Sequence, residues 1–264
     1  MSPFYFGTEE RRLFGVFEPA AVGRTASAAV LLFNPFAHEA IHAHRLYRVL
    51  TQRLTRAGFD TMRFDYFGTG DSAGEDCDGE LAGWAADGAC AHEELVSRTN
   101  ATRIVWIGAR LGAAVAAQAT YRLTRVPERV VLWDPIIDGR AYLEELAALH
   151  ARSLEISYAG VDDAWRTLPT AELECMGFEL GRRFRDSLDA LTVATFPAPR
   201  ALRCELLCGS VSAALALLQT WDAAGLRVTT TLLEDSFDWT TEDFESVLVP
   251  AETLARLTEA VTRS

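Results

Sequence analysis

Short runs of consecutive apolar residues, rich in β-branched and aromatic types, alternate along the chain with longer stretches whose apolar positions return every three or four residues. The short runs predict strands at 28–33 (AAVLLF), 60–64 (DTMRF), 103–107 (RIVWI), 129–133 (RVVLW), 203–208 (RCELLC) and 226–233 (LRVTTTLL). Residues 4–7 and 12–18 (RLFGVFE) predict an antiparallel pair ahead of them. Helical spacing predicts helices over about 43–57, 81–99, 112–123, 212–223 and 249–262, with Gly58 as a stop for the first. Strands separated by single helices require right-handed crossovers, so the expected architecture is α/β with a mostly parallel central sheet and helices on both faces. Strand signals then lapse over 138–200, where two or three helical patterns and the aromatics Tyr142, Tyr158, Trp165, Phe178 and Phe184 occur. The expected organisation is a core of residues 1–137 and 201–264 with a helical cap inserted at 138–200. Such a cap stands over the carboxyl ends of the strands, where open α/β sheets bind ligands.

Composition narrows the function classes. The 264 residues, 49% of them apolar, suit one large domain with an insertion. A net charge of −12 opposes binding to nucleic acid. All 25 basic residues are arginine, which removes Schiff-base lysine chemistry and lysine-anchored pyridoxal phosphate; no cofactor is expected. The cysteines (77, 90, 175, 204 and 208) form no C-x-x-C and no disulfide framework, and the last two fall in an apolar run that predicts burial. The opening MSPFYFGTEERRLF has no basic segment followed by an apolar one, and no run of about 18 apolar residues occurs. The expectation is a reduced, cytoplasmic chain without a membrane span.

Three segments carry a family resemblance. RFDYFGTGDSAG (63–74) resembles the glycine-rich loop after the fourth strand of the α/β-hydrolases, in their serine aminopeptidase or monoacylglycerol-lipase-like branch. IVWIGARLGAAVAA resembles the strand–turn–helix of the nucleophile elbow, with Gly108 and Gly112 as its glycines. Asn34-Pro35-Phe36 ends a strand where that family supplies its first oxyanion-hole amide. The likeness implies an α/β-hydrolase fold and an oxyanion-type pair of amides at Phe36 and Leu111. It also implies that Ser72 shapes its loop.

The family's chemistry does not transfer with the scaffold. Its turn reads G-x-S-x-G, whereas this chain has Gly108-Ala109-Arg110-Leu111-Gly112. A guanidinium stays protonated and is no nucleophile. The family's general base is a histidine after the last strand, but the five histidines lie at 38, 42, 44, 92 and 150, and the matching loop reads LEDSFDWTTED (233–243). These departures imply a degenerate triad and a non-catalytic protein that binds an acyl-type small molecule or a partner protein, with an exposed edge strand at 4–7 or the cap available for a homodimer. Arg110 either grips a ligand anion or pairs with Asp134, Asp235 or Asp238, since a buried arginine needs a partner. Asn34, His38 and Trp239 are pocket candidates. One alternative is an atypical acyl hydrolase, transferase or lyase with His38 as base and Arg110 as oxyanion stabiliser. Another is a zinc hydrolase, because His38-Glu39-Ala40-Ile41-His42 matches H-E-x-x-H. The bland reading of that motif places His38 at the pocket mouth and His42 and His44 as decoration of a helix.

Overall fold

The computed structural model describes residues 1–21, 28–99, 101–158, 174–221, 225–234, 237–240 and 249–263. Among them, eight strands form one sheet: β1 (Ser2–Gly7), β2 (Arg12–Glu18), β3 (Ala28–Phe33), β4 (Asp60–Phe64), β5 (Arg103–Ala109), β6 (Arg129–Trp133), β9 (Arg203–Cys208) and β10 (Val228–Leu232). Their spatial order is β1-β2-β4-β3-β5-β6-β9-β10. The β1–β2 and β2–β4 pairs are antiparallel, and every later pairing is parallel. This is the mostly parallel sheet that the alternating pattern predicts.

Central strands lie between two layers of helices, which is why β3 and β6 are buried at every residue. Their side chains alternate between the layers. Val30, Leu32, Val105, Ile107 and Trp133 pack with α1 (His38–Ala57) and α7 (Ala251–Thr262). Ala29, Leu31, Phe33, Trp106 and Val130 face α2 (Leu81–Arg98), α3 (Leu111–Ala119) and α6 (Val211–Trp221). Burying each large side chain contributes about 1.5–3 kcal/mol, so the fully covered Trp84, Trp106 and Trp133 are major anchors of the two layers.

Between β6 and β9 run α4 (Gly139–Ser157), the two-residue strands β7 (Glu174–Cys175) and β8 (Phe178–Glu179), and α5 (Arg182–Asp189). Asp138 caps α4 by accepting a hydrogen bond from Ala141 N at 2.9 Å. The buried residues Tyr142, Leu146, Phe184 and Leu188 join the α2–α3 core. The insertion is therefore packed into the main body through these side chains. Trp165 lies outside the described residues.

Helix α1 begins at His38, about five residues earlier than its periodicity suggests. Ala37 adopts φ 50° and turns the chain sharply after Phe36, so the helix starts at once and absorbs the whole H-E-x-x-H segment.

Candidate functional site

The elbow is formed where β5 ends and α3 begins. Arg110 sits at the turn with φ 51° and ψ −122°, a conformation that costs a side-chain-bearing residue about 1–3 kcal/mol. Its amide donates to Trp133 O at 2.9 Å, which ties the turn to the end of β6. A methyl group on Gly108 would lie 2.6 Å from Gly112 O, and one on Gly112 would meet the Asn34 carbonyl oxygen. Only glycine lets α3 pack this closely on the strand ends. Leu111 opens α3, so its N–H has no acceptor within the helix.

The Arg110 side chain is held by two carboxylates of the chain itself. Nε donates to Glu39 Oε1 and Nη2 to Glu145 Oε1, both at 2.7 Å. Tyr142 OH donates to the second Glu39 oxygen at 2.8 Å. The guanidinium carbon lies 5.4 Å from the Tyr142 ring centre and 5.8 Å from that of Trp239. Arg110 is 13% exposed, Glu39 1% and Glu145 40%. Helix α1 supplies Glu39, while Tyr142 and Glu145 project from one face of α4 at i, i+3 spacing.

Electrostatics follow from that burial. Desolvation raises the Glu39 pKa to about 7, although Arg110 and the Tyr142 hydroxyl pull it down. Burial and then Glu39 push Tyr142 well above its ordinary value, so it remains a neutral donor. Burial opposes the Arg110 charge, yet Glu39, Tyr142 and Glu145 outweigh it and hold the guanidinium pKa above its usual value.

The carboxylates expected to pair with Arg110 do other work. Asp134 accepts from Gly209 N at 2.8 Å and from Trp239 Nε1 at 3.2 Å, fastening the end of β9 and the 237–240 segment to β6. Asp238 accepts from its neighbour Thr240, from N and Oγ1, both at 2.9 Å. Asp235 lies outside the described residues. The expectation for Asp134 and Asp238 fails because α1 and α4 bring Glu39 and Glu145 to the guanidinium instead.

His38 is buried rather than placed at a pocket mouth. Burial first, then His42, and more weakly Arg110, hold its pKa at about 4 against a hydrogen bond to the Trp239 backbone; His38 Nδ1 meets no partner among the described residues. His42 is also buried, its ring 5.7 Å from that of His38 in edge contact, and only His44 is exposed. The early start of α1 causes this, because i, i+4 spacing turns both imidazoles to the covered face. Among the described residues no group of three His, Cys, Asp or Glu side chains gathers at these histidines or elsewhere. Glu39, the carboxylate of the zinc-type motif, is engaged with Arg110.

Phe36 packs its ring on Phe184, Trp84 and Phe178 at 4.5, 5.6 and 6.4 Å. Asn34 Nδ2 donates to Phe64 O at 2.9 Å and to Asp65 Oδ1 at 3.3 Å, joining the end of β3 to the glycine-rich loop. Trp239 packs on Trp133 and Phe237 at 4.7 and 4.6 Å. Ser72 shapes its loop: it donates to Asp65 O at 2.6 Å and accepts from Phe14 N at 2.9 Å. Arg110, His38 and Trp239 are absent from the walls of four of the best-formed cavities among the described residues. Sequence reasoning missed Glu145 and Tyr142 and misassigned Glu39; the i, i+3 pair at 142 and 145 was the available signal.

Residues 26–168 match the family model of the serine aminopeptidases (S33). None of the curated proteins matches the chain. Solved structures show the same fold. Est1E from Butyrivibrio proteoclasticus with bound ferulic acid superposes with a TM-score of 0.61 at 14% identity, covering 98% of this chain and 96% of that one. The N-formylmaleamic acid deformylase Nfo of Pseudomonas putida gives 0.60 at 16% identity over 99% and 100% of the two chains. A thermostable carboxyl esterase from Bacillus coagulans gives 0.61 at 10% identity over 98% and 97%. The ordered strand sequence, the strained elbow and the family match over more than half the chain converge: this chain belongs to the serine aminopeptidase (S33) family of α/β-hydrolases.

Proposed function

We propose that the chain is a non-catalytic member of its family, a binding or accessory protein in which the elbow is a closed structural joint. The observation that carries this reading is the double clamp on Arg110: Glu39 and Glu145 each hold the guanidinium at 2.7 Å where a hydrolase presents its nucleophile. A cation satisfied by two internal carboxylates has little attraction left for a ligand anion, and the site carries a net negative charge when both are ionised. The amides of Phe36 and Leu111 remain as scaffold, and residues 138–200 act as a lid whose helix α4 is tied down through Glu145 and Tyr142. The serine mechanism also needs a base hydrogen-bonded to the nucleophile, and residue 110 has no hydroxyl to activate. No helix among the described residues is long and apolar enough to cross a membrane.

The test is a fluorophosphonate probe together with short-chain aryl esters and thioesters. No covalent labelling and no turnover above that of an Arg110→Ala control is expected. Labelling at a serine overturns the reading. Turnover abolished by both His38→Ala and Glu39→Gln replaces it with an atypical acyl-processing enzyme. That second reading draws on two separate observations, an imidazole at position 38 that burial keeps neutral and a carboxyl group at position 39 that titrates near neutrality.

A further inference from the structure

The sheet ends on one side at β10, which among the described residues pairs with β9 alone. Cys204 N donates to Arg227 O at 2.9 Å and Leu233 N to Cys208 O at 3.0 Å, so the odd-numbered residues aim their backbone groups at β9. By alternation, Val228, Thr230 and Leu232 aim their N–H and C=O groups at the free edge. Natural edge strands are blunted by charges, proline or a bulge. This one, VTTTL, has no charge and no proline, and its register with β9 is unbroken. The opposite edge differs: β1 contains Pro3, and the guanidinium groups of Arg98 and Arg12 lie 3.5 and 4.8 Å from the ring centres of Phe4 and Tyr5.

Helix α6 extends this bare flank. Its sequence, VSAALALLQTW, carries no charge either. Ala214, Leu217 and Trp221 are its buried face. A right-handed crossover leads from β9 through α6 to the edge strand, and the helix is itself right-handed. Together the two hands turn Val211, Leu215 and Leu218, a quarter turn from the buried face, towards the free edge of the sheet. Val211 and Leu215 are 53% and 51% exposed. Val228 packs on the same core layer as α6, so Leu232, four residues on, points to that side as well and is 47% exposed. One apolar stripe thus follows the edge from α6 to β10.

This edge is complementary to itself. An antiparallel copy centred on Thr230 sets Val228 against Leu232 of the second chain, Thr229 against Thr231, and Thr230 against its own equivalent. The three outward-facing residues of each copy then exchange about six backbone hydrogen bonds. The antiparallel direction also brings Arg227, before the strand, to the same end as Glu234 of the copy, where a parallel one would bring like charges together. Helix α6 packs across β9 and β10. With strands about 4.8 Å apart, the two α6 helices would lie about 10 Å from each other, within helix-packing distance, with their apolar stripes facing. A chain of net charge −12 repels its own copies, so a contact between them calls for a surface without charge.

We propose that β10 and α6 form the interface of a symmetric homodimer, in which the two β10 strands pair antiparallel about Thr230 and one sheet runs through both copies. The assignment stands apart from the elbow and holds whether or not Arg110 is catalytically silent. Sedimentation velocity of the full chain between about 1 and 50 µM tests it, because interfaces of this kind reach micromolar affinity or better. A dimer is expected. Thr230→Pro removes central hydrogen bonds of the new ladder without touching the one to β9, and Leu215→Arg sets two cations against each other across the axis. Each is expected to weaken dimerisation at least about tenfold. Tyr5→Arg, on the opposite edge, is expected to leave it unchanged. Leu215 is exposed, so Leu215→Arg decides the matter if Thr230→Pro does not fold. The proposal is overturned by a monomer at about 50 µM, by unchanged dimerisation in Leu215→Arg, or by a dimer lost in Tyr5→Arg.

Discussion

At the scale of single residues, Arg110 and Glu39 form a pair whose partners respond differently to substitution. Glu39 accepts from both Arg110 Nε and Tyr142 OH while 1% exposed. Glu39→Leu therefore strands two buried donors and is expected to cost about 3 kcal/mol in urea unfolding. Glu39→Gln resembles the protonated carboxyl group, keeps an acceptor, and leaves Glu145 on the guanidinium; it is expected to cost less than about 1 kcal/mol at pH 7. Adding Arg110→Met to Glu39→Leu restores most of the loss, because hydrophobic replacement of a whole buried pair is often neutral. Equal costs for Leu and Gln at position 39 would refute the clamp. The oddity of Arg110 was plain in the sequence, since the glycines at 108 and 112 frame it. Its partners were not, because the pairing joins α1 to the elbow across 71 positions of sequence, and no periodicity encodes that. Glu39 attracted notice as part of a zinc-like motif, a local pattern that long-range packing overrode.

At the scale of elements, steric and conformational uses of glycine separate cleanly. Gly112 lies in α3 against the carbonyl oxygens of Phe33 and Asn34, which are backbone and cannot swing aside. Gly177 has φ 87° in the β7–β8 turn, and a methyl group there would meet nothing within 4 Å among the described residues. Gly112→Ala is expected to destabilise by about 3 kcal/mol through forced separation of α3 from the sheet. Gly177→Ala is expected to cost only about 1 kcal/mol, the penalty of a left-handed conformation. Comparable losses in chemical denaturation would show that close packing does not govern the elbow. The parallel strands and their helices were legible because each buried strand is a compact apolar run bounded by turn residues. The β7–β8 hairpin escaped notice for two physical reasons. Its strands are two residues long, and its positive-φ turn uses Met176-Gly177 instead of the usual Asn-Gly or Asp-Gly pair. The start of α1 was placed late because Ala37 makes its sharp turn without a glycine or a capping side chain.

For the whole molecule, stability against pH reflects buried groups that pull in opposite directions. His38 and His92 are held at about 4, chiefly by burial; His92 Nδ1 also accepts from Trp106 Nε1 at 3.1 Å, which requires the neutral ring. Their ordinary value is 6.5, so their contribution is fully present above that pH and is lost as the pH falls from 6.5 towards 4. Glu39 behaves oppositely. Its folded value of about 7 exceeds the ordinary 4.5, so the folded state holds a proton that the unfolded chain has released, and stability is lost as the pH rises from 4.5 to 7. Asp65, Asp87 and Glu205 are also raised by burial and add to the same trend, so the absolute profile is a composite. A difference profile isolates Glu39. Thermal melts of the wild-type chain and Glu39→Gln between about pH 4 and 8 should show the wild type losing stability relative to the variant as pH rises from 4.5 to 7, then running parallel above 7. The same comparison with His92→Gln should slope the other way, the wild type gaining relative to the variant as pH rises from 4 to 6.5. A flat Glu39 difference across that window would mean that its carboxylate is ionised throughout, with Arg110 outweighing burial. Arg110 would then act as a full counter-charge rather than as half of a pair that neutralises near pH 7.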